Sequence, residues 1–293
     1  MASSRLPGKV LLDIAGQPML VRVVERARRA RMVDGTVVAT TVDASDDAIE
    51  RLCVERGYAC FRGSTHDVLD RYYQAARQFG ANIIVRITAD CPVIDPVLID
   101  EAVMALLGVR GRRRAAAKQR LAVDLNSASQ SSDKGSGVKS GDSRIGSAEE
   151  RQVTPDSQLL TSYDFVANRL PPPWGRTYPI GLDVEVCTFA GLEIAWREAR
   201  LPHQREHVMP FFYDNPERFR IHLVNHEVDL SAYRWTVDTA EDLELLRQIY
   251  ARFGGGDDFS WLDVLALFEN EPELRQINAQ VRHKGYREID ERR

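Results

Sequence analysis

NIIVRITADCPVIDPVLIDEAVMALL, residues 82–107, decides how this chain is read. Its first part is short, apolar and β-branched, as a buried strand requires, and its last part, DPVLIDEAVMALL, returns to the spacing of a helix. Between them stands Asp90, at the point where the strand over Asn82 to Thr88 ends. Upstream the same alternation repeats. DVLDRYYQAARQF reads as a helix opened by a capping box of Ser64 and Asp67, preceded by the short strand YACFRG. Before that, a helix carrying Ile49, Leu52 and Cys53 is opened by Ser45, Asp46 and Asp47, and GTVVATT (residues 35–41) is a buried strand. Met19, Leu20, Val23, Val24 and Ala27 recur at helical spacing, with Glu25 and Arg29 as an i,i+4 pair on the wet side.

Strands alternating with helices of this length build βαβ units. The expected fold is therefore α/β, a doubly wound, mostly parallel sheet with helices on both faces. Such sheets bind ligands beyond the carboxyl ends of their strands, which is where Asp90 falls.

The alternation stops at Arg110. Residues 110–158 contain no aromatic side chain and consist largely of Arg, Ser, Gly, Ala, Lys and Asp, a composition that cannot bury enough apolar surface to offset chain ordering. They are expected to form a disordered insertion. Its basic cluster, Arg110, Arg112, Arg113, Arg114, Lys118 and Arg120, reads as solvated linker rather than a nucleic-acid patch, because no aromatic residue is interleaved for stacking.

Beyond it, SYDFVAN is a strand. YPIGLDVEVCTF alternates Leu182, Val184 and Val186 against Asp183, Glu185 and Cys187, so one face carries two carboxylates. A helix (GLEIAWREAR), a polar turn containing HQREHVMPFFY, a strand (FRIHLVNHEV) and the segment YRWTVDTAEDLELLRQIY follow. Gly254, Gly255 and Gly256 read as a hinge before two terminal helices, SWLDVLALFEN and PELRQINAQVRHK. The divisions are thus 1–109, the insertion 110–158, a second half of the same domain over 159–253, and a helical extension over 257–293.

Apolar residues make up 44% and charged residues 28% of the 293, enough for a substantial core, and the net charge of -4 argues against general polyanion binding. Any phosphate chemistry must be local. The cysteines, Cys53, Cys60, Cys91 and Cys187, lack C-x-x-C spacing and read as reduced thiols. No segment has the length and hydropathy of a membrane span, so a cytoplasmic protein that binds neither membrane nor nucleic acid is expected.

SSRLPGK (residues 3–9) has the composition of a phosphate cradle: small residues let backbone N–H groups approach an anion while Arg5 and Lys9 supply charge. Asp90 reads either as a Mg²⁺ ligand or as the cap of the following turn. Asp238 stands immediately before a helix whose cap is Thr239 and whose reciprocal partner is Asp242, so it is a second ligand or a helix-entry acid.

Together, SSRLPGK, DVLDRYY with Asp70 and Arg71, RITADCPVIDP, GLDVEV, REHVMPFFYDNPERF and TVDTAEDL resemble the spore-coat polysaccharide biosynthesis protein F family. That family lies in the cytidylyltransferase superfamily, with the acylneuraminate and 3-deoxy-manno-octulosonate enzymes. The resemblance covers nearly the whole chain outside the insertion. It implies a nucleotide-diphospho-sugar transferase-like fold and a Mg²⁺-dependent nucleotidyltransferase that joins CMP from CTP to a sugar or sugar acid for surface or spore-coat polysaccharide. It further implies that Ser3, Ser4, Arg5, Gly8 and Lys9 hold the triphosphate, that Arg71 contacts the nucleotide, and that Asp90 and Asp238 bind Mg²⁺. Arg5, Lys9, Asp90 and Asp238 would be the catalytic set. Asp183 and Glu185 would face sugar hydroxyls, unless they form only a wet face, and His207 would orient substrate or satisfy a loop. Related enzymes are commonly homodimers, so a homodimer is expected.

Members of that family carry a hydrophobic strand and an Arg, of the type AIIQAR, ahead of the loop. Here Met1 stands where the loop begins, so residues 1–109 are expected to be the nucleotide-binding half without its first strand. A glycosyltransferase consuming a nucleotide sugar and a non-catalytic remnant are the alternatives. Release of pyrophosphate distinguishes the first reading from glycosyl transfer, which releases a nucleoside phosphate.

Overall fold

The computed structural model describes residues 5–109, 161–171 and 174–282. Ser3, Ser4 and the expected disordered insertion lie outside them. The described residues from Arg5 to Gly108 and from Thr161 to Arg282 belong to one compact unit.

The chain opens with a 3-10 turn, Lys9–Leu11, and a small antiparallel pair, β1 (Asp13–Ile14) and β2 (Gln17–Pro18). Then come α1 (Met19–Ala27), β3 (Val37–Thr41), α2 (Asp47–Arg56) and β4 (Ala59–Gly63). β3 and β4 pair in parallel across the α2 crossover, as a strand–helix–strand run dictates. α3 (Val68–Gln78), β5 (Ile83–Arg86) and α4 (Pro96–Leu106) complete the first half. Asp67 caps α3 by accepting from Asp70 N, while Ser64 Oγ accepts from Asp67 N, so the cap is one turn of chain shorter than the Ser64–Asp67 box expected.

The second half contributes β6 (Phe165–Ala167), the hairpin β7 (Arg169–Leu170) and β8 (Gly175–Arg176), β9 (Glu185–Thr188), α5 (Phe189–Glu198), α6 (Pro202–His207), α7 (Pro210–Asp214), β10 (Ile221–Leu223), α8 (Ala240–Arg252) and α9 (Trp261–Asn270). HQREHVMPFFY is therefore two short helices rather than a turn. Among the described residues of PELRQINAQVRHK, 272–282, only Pro272–Gln276 is helical, as a 3-10 segment.

The main sheet has the order β10-β6-β9-β5. β10 and β6 are parallel, but β9 runs antiparallel to both β6 and β5. The sheet is mixed, not the mostly parallel one expected. The cause is the connection: β6 reaches β9 through the β7–β8 hairpin with no crossover helix, and a chain that returns without a crossover arrives antiparallel.

Helices do cover both faces. Val166 and Val186 point into a core formed with α1, α4, α8 and α9, whereas Ile84, Phe165, Ala167 and Cys187 point into a second core with α3, α5 and α7. The period of two along each strand divides these sets. α1 is buried around most of its circumference, Arg22 and Arg26 included. Their guanidinium groups donate to backbone carbonyls, Arg22 to Ile14 and Ala15, and Arg26 to Ile94, Asp257 and Phe259. Glu25 pairs with Arg28 and Arg29 with Asp258, in place of the Glu25–Arg29 pair expected.

Gly254 and Gly255, with φ of 66° and 74°, turn the chain after α8. The following residues are pinned to α1 by Arg22 and Arg26 and to the turn just after it by Arg29, and Phe259, Trp261, Val264, Phe268 and Leu274 are buried in the main core. What reads as a hinge is a fixed corner.

Candidate active site

Gly8 (φ 68°) lets the chain turn left-handed out of the Arg5–Gly8 loop and start the 3-10 turn that carries Lys9. The Lys9 ammonium is aimed at three oxygens: Asp90 Oδ2 at 2.8 Å, Asp238 Oδ1 at 2.9 Å and the Val237 carbonyl at 2.7 Å. An ammonium has three protons, and each meets an acceptor. Burial by itself would lower the Lys9 pKa, but Asp90 and Asp238 outweigh it and hold it above its usual value. For Asp238 burial acts upward, yet Lys9, Arg234 and Arg5 hold the carboxyl well below the usual carboxylate range.

Two segments remote in sequence bring the carboxylates together. Asp90 lies past the end of β5, where Cys91 N donates to Thr88 O in a tight turn. Asp238 precedes α8, whose N-terminus is closed by the expected capping box of Thr239 and Asp242. The Asp90 carbonyl accepts from Val237 N at 2.9 Å and from Thr236 Oγ1 at 3.0 Å, which stitches one loop to the other. Arg5 Nη2 lies 2.9 Å from Asp238 Oδ2. Arg5, Lys9, Asp90 and Asp238 therefore form one charge-matched cluster, and Gly8 shapes its entry.

The other candidate residues are bonded elsewhere. Arg71, on α3, donates to the Ser64 carbonyl and lies against Gly63 at the end of β4. Asp183 is paired with Arg176, whose Nη2 is 2.8 Å from Oδ2. It still belongs to the neighbourhood of Asp90: burial, then the charges of Asp90 and Asp183, push the thiol of Cys91 well above its ordinary value. Glu185 is 3% exposed and forms an ion pair with Arg86, its cross-strand neighbour. It is not on a wet face, because both faces of β9 are covered. His207 ends α6, next to Val208 at φ 72°, where Met209 N donates to His207 O. α6 is tied to α3 through Arg205 and Asp67. A cleft of about 660 Å³ lined by Asp70, Trp196, Arg197, Ala199, Arg200 and Arg205 lies on that same α3–α5–α6 surface and includes none of the carboxylate cluster.

Sequence reasoning missed Arg234, which reaches both Asp238 and Asp242. The signal was present as two acids four and eight residues after an Arg, but that spacing carries no meaning until the chain is known to turn at Thr239.

Residues 1–121 match the model of a family described as Cytidylyltransferase. Over 99% of its length the chain is 30% identical to an uncharacterized protein, MJ1063, of Methanocaldococcus jannaschii, of which it covers 95%. It is 26% identical to the spore coat polysaccharide biosynthesis protein SpsF of Bacillus subtilis, covering 93% of this chain and 92% of that one. The chain belongs to the SpsF-like cytidylyltransferase family. Over 106 residues, 36% of this chain and 41% of the relative, it is 42% identical to 3-deoxy-manno-octulosonate cytidylyltransferase of Geobacter sulfurreducens. Among solved structures, that of a cytidylyltransferase from Leptospira borgpetersenii superposes with a TM-score of 0.70 at 29% identity, over 97% of this chain and 95% of that one. The protein is thus an enzyme, a nucleotidyltransferase of the cytidylyl type, with the nucleotide-sugar transferase-like fold of its relatives. Among the described residues, no helix is long and apolar enough to cross a membrane.

Proposed function

We propose that the enzyme transfers CMP from CTP to a hydroxyl of a sugar or sugar acid, with Mg²⁺, to supply an activated sugar for surface or spore-coat polysaccharide. The hydroxyl oxygen bonds to the α-phosphorus as the bond from that phosphorus to the α,β-bridging oxygen breaks. Pyrophosphate leaves with that electron pair, and the hydroxyl proton is released. The observation that carries this reading is the triad of oxygens from Asp90, Val237 and Asp238 converging on one cationic centre, the Lys9 ammonium, at 2.7 to 2.9 Å.

That donor set consists of hard oxygens and includes two carboxylates, which suits Mg²⁺ held jointly by protein and phosphates. Asp90 and Asp238 would hold the ion, which neutralises charge on the triphosphate and on departing pyrophosphate. Lys9 and Arg5 are the cations next to that position. When a triphosphate arrives, phosphate oxygens compete with the carboxylates for both side chains, and Lys9 exchanges one set of anionic partners for another. Arg71, Ser3, Ser4 and Gly8 would contribute nucleotide contacts. Of the acceptor candidates, Asp183 is 25% exposed and can meet a hydroxyl at the cost of its Arg176 pair. Glu185, sealed behind Arg86, supports β9 instead.

The test is pyrophosphate release from CTP, UTP, GTP or ATP against a panel of sugars and 2-keto sugar acids, each with Mg²⁺ or with EDTA. Release confined to CTP, a sugar acceptor and Mg²⁺ supports the reading. Metal-independent release, or no preference among nucleotides, overturns it.

A further inference from the structure

Behind the carboxylate pair stands a buried arginine that the roles above leave unused. Arg234 is 8% exposed. Its Nε and Nη2 each lie 3.0 Å from an oxygen of Asp242, and Nη2 also donates to Asp238 Oδ2 at 2.8 Å. Asp242 is fully buried and is itself held from several sides. It accepts from Asp238 N at 2.9 Å, Thr239 N at 3.1 Å and Asn278 Nδ2 at 2.8 Å. Asn278 Nδ2 lies 3.1 Å from the Arg234 carbonyl as well, so this residue, two beyond the end of the last 3-10 segment, braces both partners.

The two oxygens of Asp238 are thereby divided: Oδ2 faces Arg234 and Arg5, and Oδ1 faces Lys9 and, across it, Asp90. We propose that Arg234, locked by Asp242 and Asn278, is a positioning residue that turns Oδ1 of Asp238 toward Asp90 and sets the geometry in which the two carboxylates share a cation. This rests on the reading of Asp90 and Asp238 as the cation-binding pair. Arg5 touches the same oxygen, but from the Arg5–Lys9 loop with its side chain 29% exposed, whereas Arg234 is fixed in the interior. The role needs a guanidinium. Its planar fork spans both oxygens of Asp242 while a third contact reaches Asp238, which the compact ammonium of a lysine cannot reproduce.

The experiment measures Mn²⁺ binding by the electron paramagnetic resonance of free Mn²⁺, at saturating CTP, for the wild type, Arg234→Lys, Asn278→Ala, Asp238→Asn and the double variant R234K/D238N. CTP affinity in EDTA, the melting temperature and kcat and KM are recorded for each. R234K is expected to lose about tenfold in Mn²⁺ affinity and to lower kcat, with CTP affinity in EDTA unchanged. N278A is expected to move in the same direction by less. In the D238N background, R234K should cost no further Mn²⁺ affinity, a coupling that loss of folding cannot mimic. A folded R234K that binds Mn²⁺ as the wild type does overturns the inference, as does one that loses Mn²⁺ and CTP alike. If R234K does not fold, unchanged Mn²⁺ affinity in N278A overturns it. D238N separates the two readings: if it binds Mn²⁺ like the wild type, the cation-site reading falls and takes this one with it. If D238N loses Mn²⁺ while R234K and N278A do not, only the positioning role falls.

Discussion

At the scale of single residues, Lys9 sets the electrostatics of the site. Its ammonium separates two carboxylates that would otherwise repel each other across the same space. Lys9→Gln is expected to reduce turnover by at least about a hundredfold, because a preorganised charge next to the phosphates is lost. The same change should weaken CTP binding and raise the Asp238 pKa toward ordinary values. Kinetics of pyrophosphate release and calorimetric CTP titration check this. The pH dependence of stability follows from the same groups. Asp238 is held below its ordinary 3.8 because Lys9, Arg234 and Arg5 outweigh its burial. Unfolding therefore takes up a proton as pH falls below about 4, so its stabilisation is complete above that range and is lost as pH drops through the folded value. Lys9 has the opposite sign: held above 10.5, it stabilises fully below that pH and ceases to do so as pH rises through its folded value. The melting temperature should form a plateau at neutral pH with a limb at each end, and Asp238→Asn should shrink the acid limb.

At the scale of elements, what matters is how two loops are brought to one point. The segment 178–184, which reads as the beginning of a strand, runs instead as an extended loop that bridges Ile180 to Arg234. Gly181 makes the approach feasible. Its φ is 106°, and a Cβ there would lie 2.5 Å from the carbonyl carbon of Trp235. Gly181→Ala is expected to destabilise the fold by about 3 kcal/mol, from a disfavoured φ and a backbone clash together. Because the clash pushes on the segment that carries Arg234 and Asp238, activity should fall further than stability explains. Chemical denaturation beside kinetics at a temperature where the variant is folded measures both. Periodicity located most of these elements: GTVVATT, YACFRG and NIIVRIT are strands, and the capping box at Thr239 and Asp242 forms. It could not show that HQREHVMPFFY folds into two helices, since each is too short to display a helical repeat, and what holds them is remote in sequence: Arg205 of the first pairs with Asp67, while the apolar side chains of the second enter the core shared with α3 and α5.

For the whole molecule, the C-terminal segment belongs to the core. Phe268 is 2% exposed and packs against Trp235 and Tyr233, the residues on either side of Arg234. Phe268→Ala is expected to cost about 3 to 5 kcal/mol and to lower activity by loosening the ground under Arg234. Were the segment after Gly256 an appendage on a hinge, the substitution would leave the melting temperature unchanged, so thermal unfolding decides the matter.

The sequence by itself determined that this is an α/β chain, where most helices and strands lie, and that Asp90 and Asp238 stand at their ends, because hydrophobic period and helix caps are local properties. Only the tertiary structure decided that β9 runs against its neighbours, that Glu185 is spent on Arg86, and that Arg234 stands behind Asp238. Those outcomes depend on the path of a connection and on which remote side chains need a buried partner, and neither is encoded in any short window of residues.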